Sequence, residues 1–367
     1  MPPGVPGDGP ADAEDRVSTP IITNSQMRCF RRCPREHYYT YTLGYRGLRE
    51  AAALRFGSLV HVGLEAYFRA LKAGASTLDA LATALAAIAA SPDADVYERA
   101  RAVVALQGYD AMWAGEPLEV LDVEAEFRAA LVNPESGAPS RTFQLGGKLD
   151  VLVRDLRDGR VKLMEHKTTS EEIGAGSDYW KRLKIDPQVS TYFAGGTALG
   201  HTITECIYDV LGKPALRPSA VPVLDDDGLR IVLNADGQRV RTQKGAWRQT
   251  GSTDDGFTLQ TRPETPEEFA ARLVAHVAEN PQRYYQRGTV VRLEQEMLDA
   301  AHDSWAIARQ IREAELASRW PRNPDACVRY GRTCGFFDVC TGAASLDDPL
   351  QFRRVEHVHQ ELTPDAA

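Results

Sequence analysis

The chain has 367 residues, of which 43% are hydrophobic and 26% charged, and a formal net charge of −8. The length suits one large domain or two modest ones, and the acidic balance excludes a protein that coats nucleic acid by bulk charge, while a local basic stripe beside an acidic site stays open. No stretch reaches the roughly 18 apolar residues of a membrane helix, and the Pro- and Gly-rich start lacks the basic end and apolar core of a secretion signal, so residues 1–19 read as a loose leader of a cytoplasmic protein with no membrane contact.

In chain order, a short helix is expected from Ser25, followed by an aromatic stretch to Tyr45. Helices follow over Ala51–Ala70, Leu78–Ala90 and Ala94–Trp113, the last two forming a helical insertion of about residues 74–115. The apolar period then changes. Strands are expected over Glu119–Leu131, Phe143–Arg154 and Arg160–Thr168, the last two joined by a turn at Asp158-Gly159. One helix is expected over Asp178–Ala198 and a strand over Thr202–Leu211. The polar segment from Lys213 to Gln260, or to about residue 262, reads as an irregular insertion or a small β excursion, and no internal repeat is evident. Thr265-Pro266-Glu267-Glu268 opens a helix to Asn280, with an N-cap and then proline at the first helical position. A short strand at Thr289–Arg292, a long helix over Glu294–Ser318 and a loosely ordered tail, residues 341–367, complete the chain. This order predicts an α/β domain over residues 20–340, with a mixed central sheet flanked by helices.

The densest chemistry lies in Gly146-Gly147-Lys148-Leu149-Asp150 and, after the hairpin, Glu165-His166-Lys167. Alternation along a strand points Glu165 and Lys167 one way and His166 the other, and Asp150 can sit beside Glu165 across the hairpin. Mg²⁺ and Mn²⁺ take oxygen ligands, which Asp150, Glu165 and the backbone carbonyl of His166 can supply. A bound cation polarises a phosphate and acidifies a water, and Lys167 can orient that water or steady charge on the phosphate. An E-x-K triplet alone is common and equally suits a surface hairpin. Glu124 or Glu126 can line the same cleft or face solvent.

Six cysteines occur in a chain without a secretion signal, which favours metal binding over disulfides. Cys327, Cys334 and Cys340 are spaced C-x6-C-x5-C, so a fourth ligand must come from elsewhere. Cys33 is the best candidate, and Cys29, one helical turn earlier, can replace it. Four thiolates can hold zinc or an iron–sulfur cluster. Cys206, in an expected strand, reads as a small buried hydrophobe.

Four motifs in order, Gly57-x-x-x-His61, Gly147-x-x-Asp150, Glu165-x-Lys167 and Gln188-x-x-x-Tyr192, resemble the RecB-like branch of the PD-(D/E)XK nucleases. The resemblance runs from about Ile22 to Cys340 and leaves Lys213–Gln260 unassigned. Leu149 stands where that family usually has proline. The resemblance implies a restriction-endonuclease-like core and a Mg²⁺- or Mn²⁺-dependent deoxyribonuclease. His61, Asp150 and Glu165 would be metal ligands and Lys167 the catalytic lysine. Gln188 and Tyr192 would contact DNA or brace the site. One cysteine before the core and three after it resemble the AddB-type helicase–nucleases and the CRISPR spacer-acquisition nucleases. That pattern implies a 4Fe–4S cluster on Cys33, Cys327, Cys334 and Cys340, with zinc as the alternative and residues 327–340 as the cluster-binding segment. An exonuclease working on DNA ends in recombination, repair or phage DNA processing is expected, rather than a site-specific cutter. The runner-up is a non-catalytic DNA-binding scaffold. No P-loop appears, so a helicase or recombinase would be a separate partner.

Overall fold

The computed structural model describes residues 19–48, 52–92, 94–329 and 331–362, apart from the side chains of residues 52–54 and 253. The expected leader therefore lies outside the described residues, except for Thr19. Strand β1 (Ile21–Thr23) leads directly into helix α1 (Asn24–Arg32), because the Thr23 hydroxyl caps it by accepting from the Gln26 N–H at 3.2 Å. Pro34 opens the short helix α2 (Pro34–His37), which continues as a π-turn over Tyr38–Thr42 before strand β2 (Tyr45–Gly47). Three helices follow, α3 (Ala52–Lys72), α4 (Thr77–Ala90) and α5 (Val96–Trp113), with Ser76 and Asp95 capping the latter two. Strands β3 (Leu118–Val132), β4 (Pro139–Asp155) and β5 (Val161–Thr169) run longer than their apolar runs suggested.

The single helix expected over residues 178–198 is two, α6 (Asp178–Leu183) and α7 (Pro187–Ala198). Pro187 cannot donate a hydrogen bond inside a helix, and Asp186 caps the new start by accepting from the Gln188 N–H at 2.9 Å. Strand β6 (Ile203–Gly212) is followed by four short strands, β7 (Ala220–Pro222), β8 (Val232–Leu233), β9 (Thr258–Leu259) and β10 (Thr261–Pro263). Helix α8 (Pro266–Glu279) begins with a full capping box between Thr265 and Glu268. Strand β11 (Tyr285–Val290) starts four residues before the expected one, and α9 (Glu294–Ala317) is the long helix. As far as Leu362, the tail expected to be loose is docked. Strand β14 (Phe352–Arg354), which follows the short β12 (Val328–Arg329), β13 (Arg332–Thr333) and α10 (Phe337–Thr341), pairs with β2, and Phe352 and Leu362 are buried. Apolar residues spaced through a polar tail give it a docking face that its composition conceals.

The main sheet has the order β1-β4-β5-β6-β11, with β3 on the other edge of β4. The β1–β4 and β5–β6 pairs are parallel, and the rest are antiparallel. One face is covered by α3, α4, α5 and α8 around Phe56, Leu64, Leu106 and Phe269. The other is covered by α7 around Phe127, Leu149, Leu163 and Val189. Each such side chain contributes roughly 1.5–3 kcal/mol on full burial. Helices α1 and α9 close one end around Ile22, Phe30 and Ile311. Among the described residues, no helix is long and apolar enough to cross a membrane.

Two departures from regular pairing shape this sheet. β4 pairs with β1 at residues 144–146 and with β5 from Val151 onward, so residues 147–150 have β3 on one side and neither β1 nor β5 on the other. Directly across from Asp150, between the pairs Val123–Val151 and Ala125–Leu149, Glu124 has a φ of 54°. A left-handed residue inside a strand reverses the alternation. Val123 and Val151 accordingly pack on the α3 face while Ala125 and Leu149 pack on the α7 face.

Candidate active site

The gap along β4 is the floor of a cleft of about 360 Å³ lined by His61, Glu124, Lys148, Asp150, Gln188 and Tyr192, among others. It is reached from both faces of the sheet. His61 comes from α3, and Gln188 and Tyr192 come from α7. Gly57 permits the first approach, since a Cβ there would lie 3.1 Å from the Thr168 hydroxyl on β5. Gly147 and Gly195 permit the second, because Cβ atoms would meet the Phe127 ring at 2.8 and 2.6 Å. The glycines of the G-x-x-x-H and G-x-x-D motifs are thus places where a neighbouring side chain, the Thr168 hydroxyl or the Phe127 ring, lies close against the glycine.

Asp150 lies within β4, five residues before its end. Where the β4–β5 ladder stops, its Oδ2 accepts from the backbone N–H of His166 at 2.8 Å, so a side chain replaces the missing ladder bond. Glu165 is almost fully buried. Its Oε1 accepts from Lys167 Nζ and from Gln188 Nε2 at 3.1 Å, and its Oε2 has no partner. Gln188 Nε2 also donates to the Tyr192 hydroxyl at 2.7 Å. His166 points the opposite way from Glu165 and Lys167, into the α3 face against Phe68 and Tyr109.

The electrostatics follow from burial and like charge. Burial, aided by the neighbouring Asp150 carboxylate, pushes Glu165 up to about 8, against the pull of Lys167. Burial acts on Asp150 in the same direction, but His61, Lys167 and the His166 N–H outweigh it and hold Asp150 below the usual carboxylate range. Burial opposes the charge on Lys167, yet Glu165 and Asp150 hold it charged, above the usual lysine range. Burial, with Lys167 and Lys148 nearby, lowers His61 against the pull of Asp150, the direction that favours the neutral imidazole of a metal ligand. Burial lowers His166 to about 4. Among the described residues, no three His, Cys, Asp or Glu side chains are drawn together as a finished metal site. The donor set still fits a hard divalent cation: carboxylates from adjoining strands, a neutral imidazole, and a buried carboxylate oxygen without a hydrogen-bond donor.

Some residues around the site were missed or left open by the sequence. Glu124 faces the cleft, 2.5 Å from Lys148 Nζ, whereas Glu126 is exposed and pairs with Arg128. Behind His166, the buried Asp209 lies 3.6 Å from the His166 Nε2, accepts from the Tyr109 hydroxyl at 2.7 Å and pairs with Arg287 at 3.0 Å. A lone acid in the apolar run Cys206-Ile207-Tyr208-Asp209-Val210-Leu211 was the available signal. Glu361 of the tail also lines the cleft.

Cys33, Cys327, Cys334 and Cys340 line one small cavity together, beside Phe336. Its cysteines come from both ends of the chain. Asn323 donates to the Arg32 carbonyl at 2.8 Å, and the Arg35 guanidinium to the Trp320 carbonyl at 2.8 Å, tying the two segments. Cys29 does not line this cavity, and burial, with Glu36 nearby, pushes its thiol up to about 12. Cys206 is fully buried in the α7-side core, as expected of a small hydrophobe.

The sequence model of the PD-(D/E)XK nuclease superfamily matches residues 22–341. No curated protein matches the chain. Among solved structures, a crystal structure of SSO0001 is similar in part, with 14% identity over 51% of this chain and 71% of that one and a TM-score of 0.20, which is too low to carry an argument.

Proposed function

From the premise that this chain belongs to the PD-(D/E)XK nuclease superfamily, we propose that it is a Mg²⁺- or Mn²⁺-dependent deoxyribonuclease of the RecB-like branch that hydrolyses phosphodiester bonds from DNA ends. The observation that carries the reading is the forked β4–β5 pair, where Asp150 lines the cleft and Glu165 and Lys167, joined to each other and to the cleft residue Gln188, lie just behind its wall with one Glu165 oxygen unpartnered. Asp150, Glu165 and the His166 carbonyl would hold the cation, with His61 as a further ligand. When bound, that cation supplies Lewis-acid polarisation of the phosphate and a water of lowered pKa.

The remaining work falls to the chain itself. The Lys167 ammonium, kept charged by two carboxylates, orients the attacking water or steadies the phosphate oxygen. Gln188 fixes the Glu165 rotamer and, through the hydroxyl of Tyr192, braces the α7 wall of the cleft. The Asp150 bond to the His166 N–H fixes the Glu165–His166 peptide, one Cα away from the peptide that carries the His166 carbonyl. An unwinding motor, where one is needed, is a separate protein, and recombination, repair or phage DNA processing is the setting that suits end-directed cutting.

The cysteine cavity supports a structural 4Fe–4S cluster on Cys33, Cys327, Cys334 and Cys340. Four thiolates can hold a single zinc ion as well, and the cluster is preferred for the pattern of one cysteine before the core and three after it. Closing a loop of about 300 residues in this way removes entropy from the unfolded chain, a cost that rises only slowly with loop length.

The test is hydrolysis of end-labelled linear and closed circular DNA with Mg²⁺ or Mn²⁺. The native protein should degrade the linear substrate, and Asp150→Ala and Lys167→Ala should not. Equal activity in those variants would refute the assignment of the site, and equal cutting of circles would refute the requirement for ends.

A further inference from the structure

The segment between β6 and α8 contains a repeat that its composition hides. Val223-Leu224-Asp225-Asp226-Asp227-Gly228-Leu229-Arg230, Val232-Leu233-Asn234-Ala235-Asp236-Gly237-Gln238-Arg239 and Val240-Arg241-Thr242-Gln243-Lys244-Gly245-Ala246-Trp247 align position by position. This corrects the expectation that the chain has no repeat. Each unit folds into the same tight turn. The glycine N–H donates to the carbonyl three residues earlier, at 2.9, 3.0 and 2.9 Å, and each glycine has a φ between 76° and 81°. Each turn is closed by a bridge, Leu224–Arg230, Leu233–Arg239 and Arg241–Trp247. Only a residue tolerant of positive φ serves at the fourth place, which is why the glycines recur.

The charge changes along the repeat. The first unit carries three aspartates, while the third carries Arg241 and Lys244 and no acid, and is followed by Arg248. Asp225 of the first unit is paired with Arg239 at 2.7 Å. The third unit also gathers stacked guanidiniums. Arg241 and Arg239 lie 3.9 and 4.4 Å from the centre of the Trp247 ring, and Arg248 lies 3.8 Å from that of Phe257. Arg230 belongs to the same surface, since its N–H donates to Gln249 at 3.0 Å. Arg230, Arg241 and Lys244 are exposed. A guanidinium laid on an aromatic ring keeps its charge and donors at a fixed place, which lowers the entropy lost when it grips a phosphate.

The insertion leaves the main sheet at the end of β6, at Gly212, which pairs with Thr169, two residues beyond Lys167. Lys213, the first residue out, lies over the Phe56 ring at 5.0 Å, next to Gly57 of the helix that carries His61. An acidic protein of net charge −8 thus carries a basic, aromatic turn on the insertion that follows β6.

We propose that the third turn of this repeat, with Arg230 beside it, grips the phosphate backbone of the DNA substrate outside the catalytic cleft. The inference rests on the nuclease reading for the identity of the polyanion. It makes the insertion a substrate clamp that sets affinity for long DNA and leaves the bond-breaking step alone.

The test uses the full chain with Arg230→Gln, Arg241→Gln and Lys244→Gln combined, and a control with Arg309→Gln and Arg312→Gln on α9. Fluorescence anisotropy reads binding to a labelled duplex of about 30 base pairs in EDTA, where no cleavage occurs, across a salt series. Circular dichroism checks that both variants fold. The clamp variant should bind about tenfold more weakly or worse, with a salt slope lower by about 3, as expected for three lost phosphate contacts. The control should bind like the native protein. With Mg²⁺, the clamp variant should show a raised KM on long duplex and unchanged turnover at saturation. Unchanged duplex binding by the clamp variant, or no duplex binding by the native protein, overturns the clamp. Weakened binding by the variant alongside absent cleavage by the native protein supports the clamp and sinks the nuclease reading instead.

Discussion

Replacing Arg287 with alanine tests whether the buried charge behind His166 is a structural necessity. Asp209 is fully buried, accepts from Arg287 Nη2 at 3.0 Å and from the Tyr109 hydroxyl at 2.7 Å, and has its Oδ1 without a partner. Arg287 also pairs with Glu116 and stacks 4.2 Å over the Trp113 ring. Without the guanidinium, the Asp209 carboxylate stays in the core with no cation beside it. Stranding one partner of a buried pair costs about 3–5 kcal/mol, far more than the roughly 1 kcal/mol of a lost neutral hydrogen bond. Urea unfolding followed by tryptophan fluorescence measures this, with Trp113 under the missing group as a local reporter. With a slope on the order of 3 kcal/mol/M, the midpoint should fall by about 1 M or more. Adding Asp209→Asn removes the stranded charge, so the double variant should recover about 2 kcal/mol. A loss under about 1 kcal/mol in Arg287→Ala, or a double variant no more stable than the single one, would show that the pair is not desolvated as its burial implies.

Three further outcomes are expected. Glu165 is raised to about 8, above its ordinary 4.5, by burial and Asp150. The folded metal-free protein therefore binds a proton there that the unfolded chain has released, and its stability declines as pH rises from the ordinary value toward 8. A cation must displace that proton, so the thermal stabilisation by Mg²⁺ should be larger at pH 8.5 than at pH 6, flat values contradicting the shift. Gly195→Ala drives a methyl into the Phe127 ring, 2.6 Å away, and should cost about 1–3 kcal/mol while lowering nuclease turnover, because α7 carries Gln188 and Tyr192 to the site. A variant as stable and active as the native protein would show that the helix has slack. Anaerobically purified protein should be brown with broad visible absorption, and Cys33→Ser should lose both colour and stability while Cys29→Ser keeps them. A colourless protein with bound zinc would decide for the other metal.

Much of the architecture is legible in local pattern. Apolar period marked the strands around Asp150 and Glu165 and the helices of the insertion, and Thr265-Pro266 marked the start of α8, because these signals act within a few residues. Alternation alone separated Glu165 and Lys167 from His166. What local pattern got wrong has local causes too, since Pro187 breaks a helix that hydrophobicity alone would continue, and a turn repeat was obscured by changing charge at fixed glycine positions.

The residue types and their order, Asp150 ahead of Glu165 and Lys167 with His61 before and Gln188 after, are properties of the sequence by itself. The fork between β4 and β5, the left-handed Glu124 opposite Asp150, the arrival of α3 and α7 from opposite faces and the Arg287–Asp209 pair belong to the tertiary structure alone. Strand periodicity is a property of neighbours along the chain. Register and the desolvation of charge depend on groups more than a hundred residues apart in some cases, such as Tyr109 and Arg287, and only packing brings those together.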